Sequence, residues 1–111
     1  MNICLGSKLG ISLILFSSLS MTDQFVLREN PVERNASEIY ETACAFCHQK
    51  GMAGAPKFGD TLSWKGRVNK GLEVLTLSVK KGLNGMPAMG LCMDCSDREL
   101  KSAVKYMLDS L

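Results

Sequence analysis

Five consecutive residues, Cys44-Ala45-Phe46-Cys47-His48, carry the densest chemistry in this chain. Two thiols separated by two residues on a helical turn can reach both vinyl groups on one edge of a haem and bond to them as thioethers. A histidine directly after the second cysteine then lies under the ring, where its imidazole can bind iron. The C-x-x-C-H spacing meets these demands together and reads as a covalent haem attachment site. C-x-x-C alone also serves as half of a zinc site or as a redox dithiol, and these are the competing chemistries.

The elements that must position these groups follow from the pattern around them. Asn35-Ala36-Ser37-Glu38 reads as a helix start with Asn35 as N-cap. Ile39, Ala43 and Phe46 or Cys47 recur at helical spacing and put the motif at the C-terminal end of that helix. The glycine-rich stretch from Gly51 to Gly59, with Pro56 inside it, fits neither regular period and is a loop. Asp60 can cap a short helix holding Trp64 and Arg67. A third helix, about Leu72 to Lys81, stops at two lysines and Gly82. A second irregular loop runs from Leu83 through Gly85-Met86-Pro87 to Gly90. Ser96-Asp97-Arg98-Glu99 is a capping box opening a final helix, whose Leu100, Ala103, Val104, Met107, Leu108 and Leu111 share one face. Its expected packing partner is the first helix. With no convincing strand and no repeat, the class is all-α with long loops. Such loops are unusual in so short a chain unless something fills the middle.

Composition agrees with one small globular domain: 111 residues, 46% hydrophobic, formal net charge +2. Lys8 precedes an apolar run from Leu9 to Phe16, followed by small residues at Ser17, Ser18 and Ser20. This is the layout of a secretory signal peptide, and the run is well short of the roughly 20 apolar residues a span needs. The expected division is a cleaved signal at 1–20, an extended lead-in at 21–34 and a domain at 35–111, exported to the periplasm. Cys4 would leave with the signal. Loss of Lys8 takes the net charge from +2 to +1, and two haem propionates would bring it to about -1. No basic run is interleaved with aromatics, so nucleic acid is not an expected partner. No stretch of the mature part could span a membrane.

Together, Cys44 to His48, Gly54-Ala55-Pro56, Trp64, Arg67, Gly85-Met86-Pro87 and Cys92-Met93-Asp94-Cys95 before the last helix resemble the small bacterial cytochrome c5 family, within the class I c-type cytochromes. The resemblance covers roughly Ile39 to Leu108. It departs at Ala88 and Met89, where many relatives carry a second proline and a lysine. It implies the class I cytochrome c fold, about four helices around one covalently bound haem c. It also implies a one-electron carrier rather than an enzyme, with Cys44 and Cys47 as thioethers and His48 as an axial ligand through Nε2. The His48 Nδ1–H would then be held by the Pro56 carbonyl.

The second axial ligand would be a methionine. Met86, between Gly85 and Pro87, can approach iron without helical bulk, and Met89 is the alternative. Trp64 and Arg67 would pack on the haem and reach a propionate, although a core aromatic and a solvated surface arginine explain them too. Cys92 and Cys95 form a disulfide in the family, and four mature cysteines in an exported chain suit that use. The implied partners are redox proteins: a quinol-oxidising complex or dehydrogenase as donor, a terminal oxidase or reductase as acceptor.

Two rival readings stand beside this one. A haem with an absent or displaceable distal methionine would bind gases or catalyse. A structural zinc site on Cys44, Cys47, Cys92 and Cys95 would leave His48 and the signal unexplained, and the gap between the pairs exceeds ribbon spacing.

Overall fold

Asn35 starts the first helix as its residue type dictates. Its Oδ1 accepts the Glu38 backbone N–H at 2.8 Å, satisfying one of the orphan donors of the first turn. The computed structural model describes residues 32–111. The expected signal at 1–20, with Cys4, and most of the lead-in at 21–34 lie outside them. From the cap, helix runs continuously through Ala36–Ile39, a π turn at Tyr40–Cys44 and Ala45–His48. In the π turn the Ala45 N–H donates to Tyr40 O, five residues back. That extra residue advances the buried face from Tyr40 to Ala45 and then His48, all three buried. The Ile39–Ala43 spacing leaves Phe46 or Cys47 as the next inward residue; Cys47 is half-buried and Phe46 is 74% exposed. Propensity alone does not announce a π turn, so the spacing by itself does not choose between the two.

Asp60 caps Thr61–Trp64 through the Leu62 N–H. This helix is a single turn, because Lys65 and Gly66 leave helical geometry (Gly66 φ 81°), so Arg67 lies beyond it rather than in it. Gly71–Lys81 follows and ends at Gly82, φ 80°. The last helix, Asp97–Asp109, opens with both halves of the capping box, Glu99 N–H to Ser96 Oγ and Ser96 N–H to Glu99 Oε2. Leu100, Ala103, Val104 and Met107 are buried on its inner face. Leu108 is half-buried, while Leu111 falls past the helix end and is exposed. The described residues form no strand; a lone antiparallel bridge pairs Leu83 with Met86.

The first and last helices pack together, as their apolar faces require. Ile39, Leu100 and Ala103 meet Cys92 and Cys95 in one buried cluster. Tyr40, Ala45, Trp64 and Met107 form the other. Each fully buried large side chain contributes about 1.5–3 kcal/mol against the entropy of ordering the chain. Two charged groups tie the entry of the domain to the last helix. Arg34 Nε and Nη2 donate to the two Glu99 carboxylate oxygens, both at 3.0 Å.

Glu99 is buried, and its carboxyl is held down to about 2 by the Arg34 side chain first, then by the Ser96 and Arg34 backbone N–H groups. A carboxyl near 4.3 in the unfolded chain takes up its proton before the folded one does. Stability from this contact is therefore complete above about pH 5 and is lost as pH falls toward about 2. The urea midpoint should fall across that window, and Glu99→Gln should flatten the fall while lowering the midpoint at neutral pH.

Candidate functional site

The last turn of the first helix faces an apolar cavity of about 410 Å³, within the roughly 300–1,000 Å³ usual for cofactor sites. Cys44, Cys47 and His48 line it from the helix, Met52 to Pro56 from the first loop, and Leu83 to Pro87 with Leu91 from the second. No carboxylate lines it, so the paired acids of hydrolytic or acid–base catalysis are missing from this surface.

His48 is buried and held at three points. Its Nδ1 lies 2.8 Å from Pro56 O, its backbone carbonyl accepts the Phe58 N–H at 2.8 Å, and its ring lies nearly parallel to Trp64 at 6.3 Å. The carbonyl can only accept, so Nδ1 carries the proton and Nε2 keeps its lone pair. A buried, oriented imidazole with one free lone pair at the wall of a cavity is a metal-ligand arrangement. Beside it, Cys44 and Cys47 are free thiols. Burial pushes Cys44 up to about 11, which keeps it protonated and makes it a poor nucleophilic dithiol. Two adjacent thiols, one available imidazole nitrogen and an apolar slot fit a covalently attached haem.

Met86 faces the same cavity, and backbone geometry fixes where it sits. Leu83 and Met86 exchange N–H···O bonds at 3.0 and 2.9 Å around a turn with Asn84 at φ 54°. Gly82 is required twice over. Its φ of 80° disfavours any side chain, and a Cβ there would stand 2.9 Å from Ala88 N and 3.0 Å from Met86 O. Gly85 lets this loop touch the first one, since a Cβ there would lie 3.1 Å from the Ala53 Cβ. Read from the sequence, Gly82 is only a helix stop; which backbone crosses it is a tertiary fact. Met89 does not line the cavity. It packs on the Ile39, Cys92 and Leu100 cluster instead.

Arg67 lines the cavity, and its Nη1 donates to Ser63 O at 2.7 Å. Trp64 takes the core position that its residue type also allows. It is buried behind His48, does not line the cavity, and gives its indole N–H to Lys57 O at 2.8 Å. Its neighbour is therefore the imidazole, as befits a core aromatic. Cys92 and Cys95 are joined by a disulfide away from the cavity, under Arg34, so the four cysteines do not converge on one metal. Closing so short a loop stabilises by about 2 kcal/mol in the chain-entropy model. Cys92→Ser with Cys95→Ser should lower folding stability by about that amount and leave the optical spectrum of the bound cofactor unchanged.

A family model described as cytochrome C oxidase, cbb3-type, subunit III matches residues 31–107. Cytochrome c5 of Ectopseudomonas mendocina is 43% identical over 76 residues, 67% of this chain and 87% of that protein. A mono-heme ferrocytochrome c from Shewanella putrefaciens superposes with a TM-score of 0.61 at 47% identity, over 67% of this chain and 91% of its own. The cytochrome c in an electron transfer complex with nitrite reductase superposes with a TM-score of 0.65 at 35% identity, over 70% and 96% of the two chains.

Proposed function

This chain belongs to the cytochrome c5 family and carries a covalently bound c-type haem, and on that premise we propose that it is a periplasmic electron carrier of a respiratory chain. In this reading Cys44 and Cys47 would hold the haem as thioethers, and His48 and Met86 would hold its iron. The observation that carries it is the single apolar cavity lined at once by Cys44, Cys47, His48 and Met86, with the His48 Nδ1 already engaged by Pro56.

Bound there, the haem supplies one-electron cycling of its iron. The chain's own residues do the rest. The Pro56 carbonyl fixes the imidazole tautomer and raises its basicity. The Met86 thioether is a soft, weakly donating ligand that favours the reduced state and so raises the potential. The turn closed by Leu83 and Met86, backed by Gly82, fixes the backbone from which that thioether would reach the iron. The apolar walls exclude water, which limits reorganisation. With His48 and Met86 both holding the iron, no position would be left for a substrate, and transfer would be outer-sphere. A gas-binding role would need the Met86 side chain to swing away from the iron.

Partners follow from the reading: a quinol-oxidising complex or dehydrogenase reduces the protein, and a terminal oxidase or reductase oxidises it. The solved relative bound to nitrite reductase supports an oxidoreductase as partner. No helix among the described residues is long and apolar enough to cross a membrane. An anaerobic redox titration of the exported, haem-loaded protein tests the proposal. One electron per chain, fully reversible and with isosbestic spectra, is the expected result. Hysteresis, or steady turnover of a small oxidant such as peroxide, would contradict it.

A further inference from the structure

The described residues carry eleven cations, and they divide sharply. Arg34, Lys80, Arg98, Lys101 and Lys105 are all in ion pairs, and every pair includes a residue between 94 and 109. The other six are Lys50, Lys57, Lys65, Arg67, Lys70 and Lys81, and none has a carboxylate within 4.0 Å among the described residues. Arg67 itself lines the cavity, and all but Lys70 of the rest lie within two residues of a residue that does. By the same measure Glu41, next to Thr42, is the one acid of the described residues on this side. Five cations against that one acid leave the rim four charges positive, and two propionates would still leave it two charges positive. The five paired cations meet six acids, so the paired set as a whole is one charge negative.

The rim is also lopsided. Residues 82 to 93 contain no ionisable charge, and they include Leu83, Leu91 and Met93 at 50%, 71% and 73% exposure. Leu91, like Phe46, both lines the cavity and stays about three-quarters exposed, more than an inward-facing side chain can, so each projects at the mouth. One edge of the opening is thus uncharged and apolar, and the segment 50–70 beside it is cationic.

Resting on the electron-carrier reading, we propose that this rim is a two-part docking face for a redox protein whose apolar contact spot is flanked on one side by acidic residues. The cationic edge steers encounter and sets the rotational orientation, and the apolar edge makes the close contact through which the electron passes. A lipid surface could match the same charges, but it holds no redox centre to justify placing them around the haem opening.

The test compares oxidation of the reduced, haem-loaded mature protein by hexacyanoferrate(III), an anion, and by tris(phenanthroline)cobalt(III), a cation, as salt is raised. The whole mature protein with haem carries about -1, which would repel the anion weakly and make its rate rise with salt. The proposal requires the reverse: the hexacyanoferrate rate falls about tenfold from low to high salt, and the cobalt rate rises. Lys50→Glu and Lys65→Glu together should remove that dependence, as should the milder Lys50→Gln and Lys65→Gln in part. Lys105→Glu on the last helix should not. Poly-L-glutamate should shift amide resonances around 46–57 and 65–70 and leave 100–109 unmoved. Equal salt dependence for the two oxidants overturns the proposal. So does binding to phosphatidylglycerol vesicles with no response to poly-L-glutamate, which would assign the face to lipid. A protein that reacts with neither oxidant would remove the carrier reading and the docking face together.

Discussion

Replacing Met86 by alanine should leave the haem in place, lower the reduction potential by on the order of 0.2 V, and open the iron to carbon monoxide. Retention follows because the thioethers at Cys44 and Cys47 do not depend on the second loop. The lower potential follows from losing a soft ligand that favours ferrous iron, and axial ligation as a whole spans about 0.8 V. Carbon monoxide binding follows because the other thioether on the cavity wall, Met52, belongs to the first loop beside Cys47 and His48 and not to the loop that holds Met86. Arg67 is cationic, and Met89 faces the Ile39 and Leu100 cluster. Met89→Ala is the matched comparison. It should lower thermal stability through lost core packing and leave the potential and the carbon monoxide response as they were. If Met89→Ala gave the spectral change and Met86→Ala did not, the ligand assignment would be reversed.

The double substitution Cys44→Ser and Cys47→Ser should have the largest effect on the molecule as a whole. Haem should become extractable by acidified acetone, and the extracted protein should lose most of its helical circular dichroism. The fold leaves a cavity of about 410 Å³ between its first helix and its second loop, in a domain with two modest buried clusters. Small domains bury too little surface to stand such a void without a staple, and a group bound to the native state alone stabilises by mass action. Native-like dichroism with a cooperative transition in the haem-free variant would show that the helices pack without the cofactor.

Much of this was readable before any fold. Asn35, Asp60 and Ser96 each cap the helix their position announces, because capping is a local matter of one side chain and the next turn. The face of the last helix was legible for the same reason, down to Met107. Legibility ended where the backbone departs from regular periods. The π turn at Tyr40–Cys44 rotates Phe46 out to solvent, and nothing in residue type marks it. Trp64 could stand in a core or against a cofactor, and only the position of Lys57 O decides which. Met86 and Met89 are both flexible thioethers in an irregular loop. What separates them is the positive φ of Asn84 and Met89 and the close approach at Gly82, which arise from the packing of whole segments. The charge asymmetry of the rim was equally hidden, since pairing is a property of neighbours in space.

The measurement that bears most directly on the central claim is the optical spectrum of the mature protein, made in a host that attaches haem covalently, recorded oxidised and then reduced. The account predicts a sharp α-band in the reduced form and a weak near-infrared sulfur-to-iron band in the oxidised form, with no change on adding carbon monoxide. A five-coordinate ferrous spectrum that shifts with carbon monoxide would contradict it, taking Met86 off the iron and the electron-carrier reading with it.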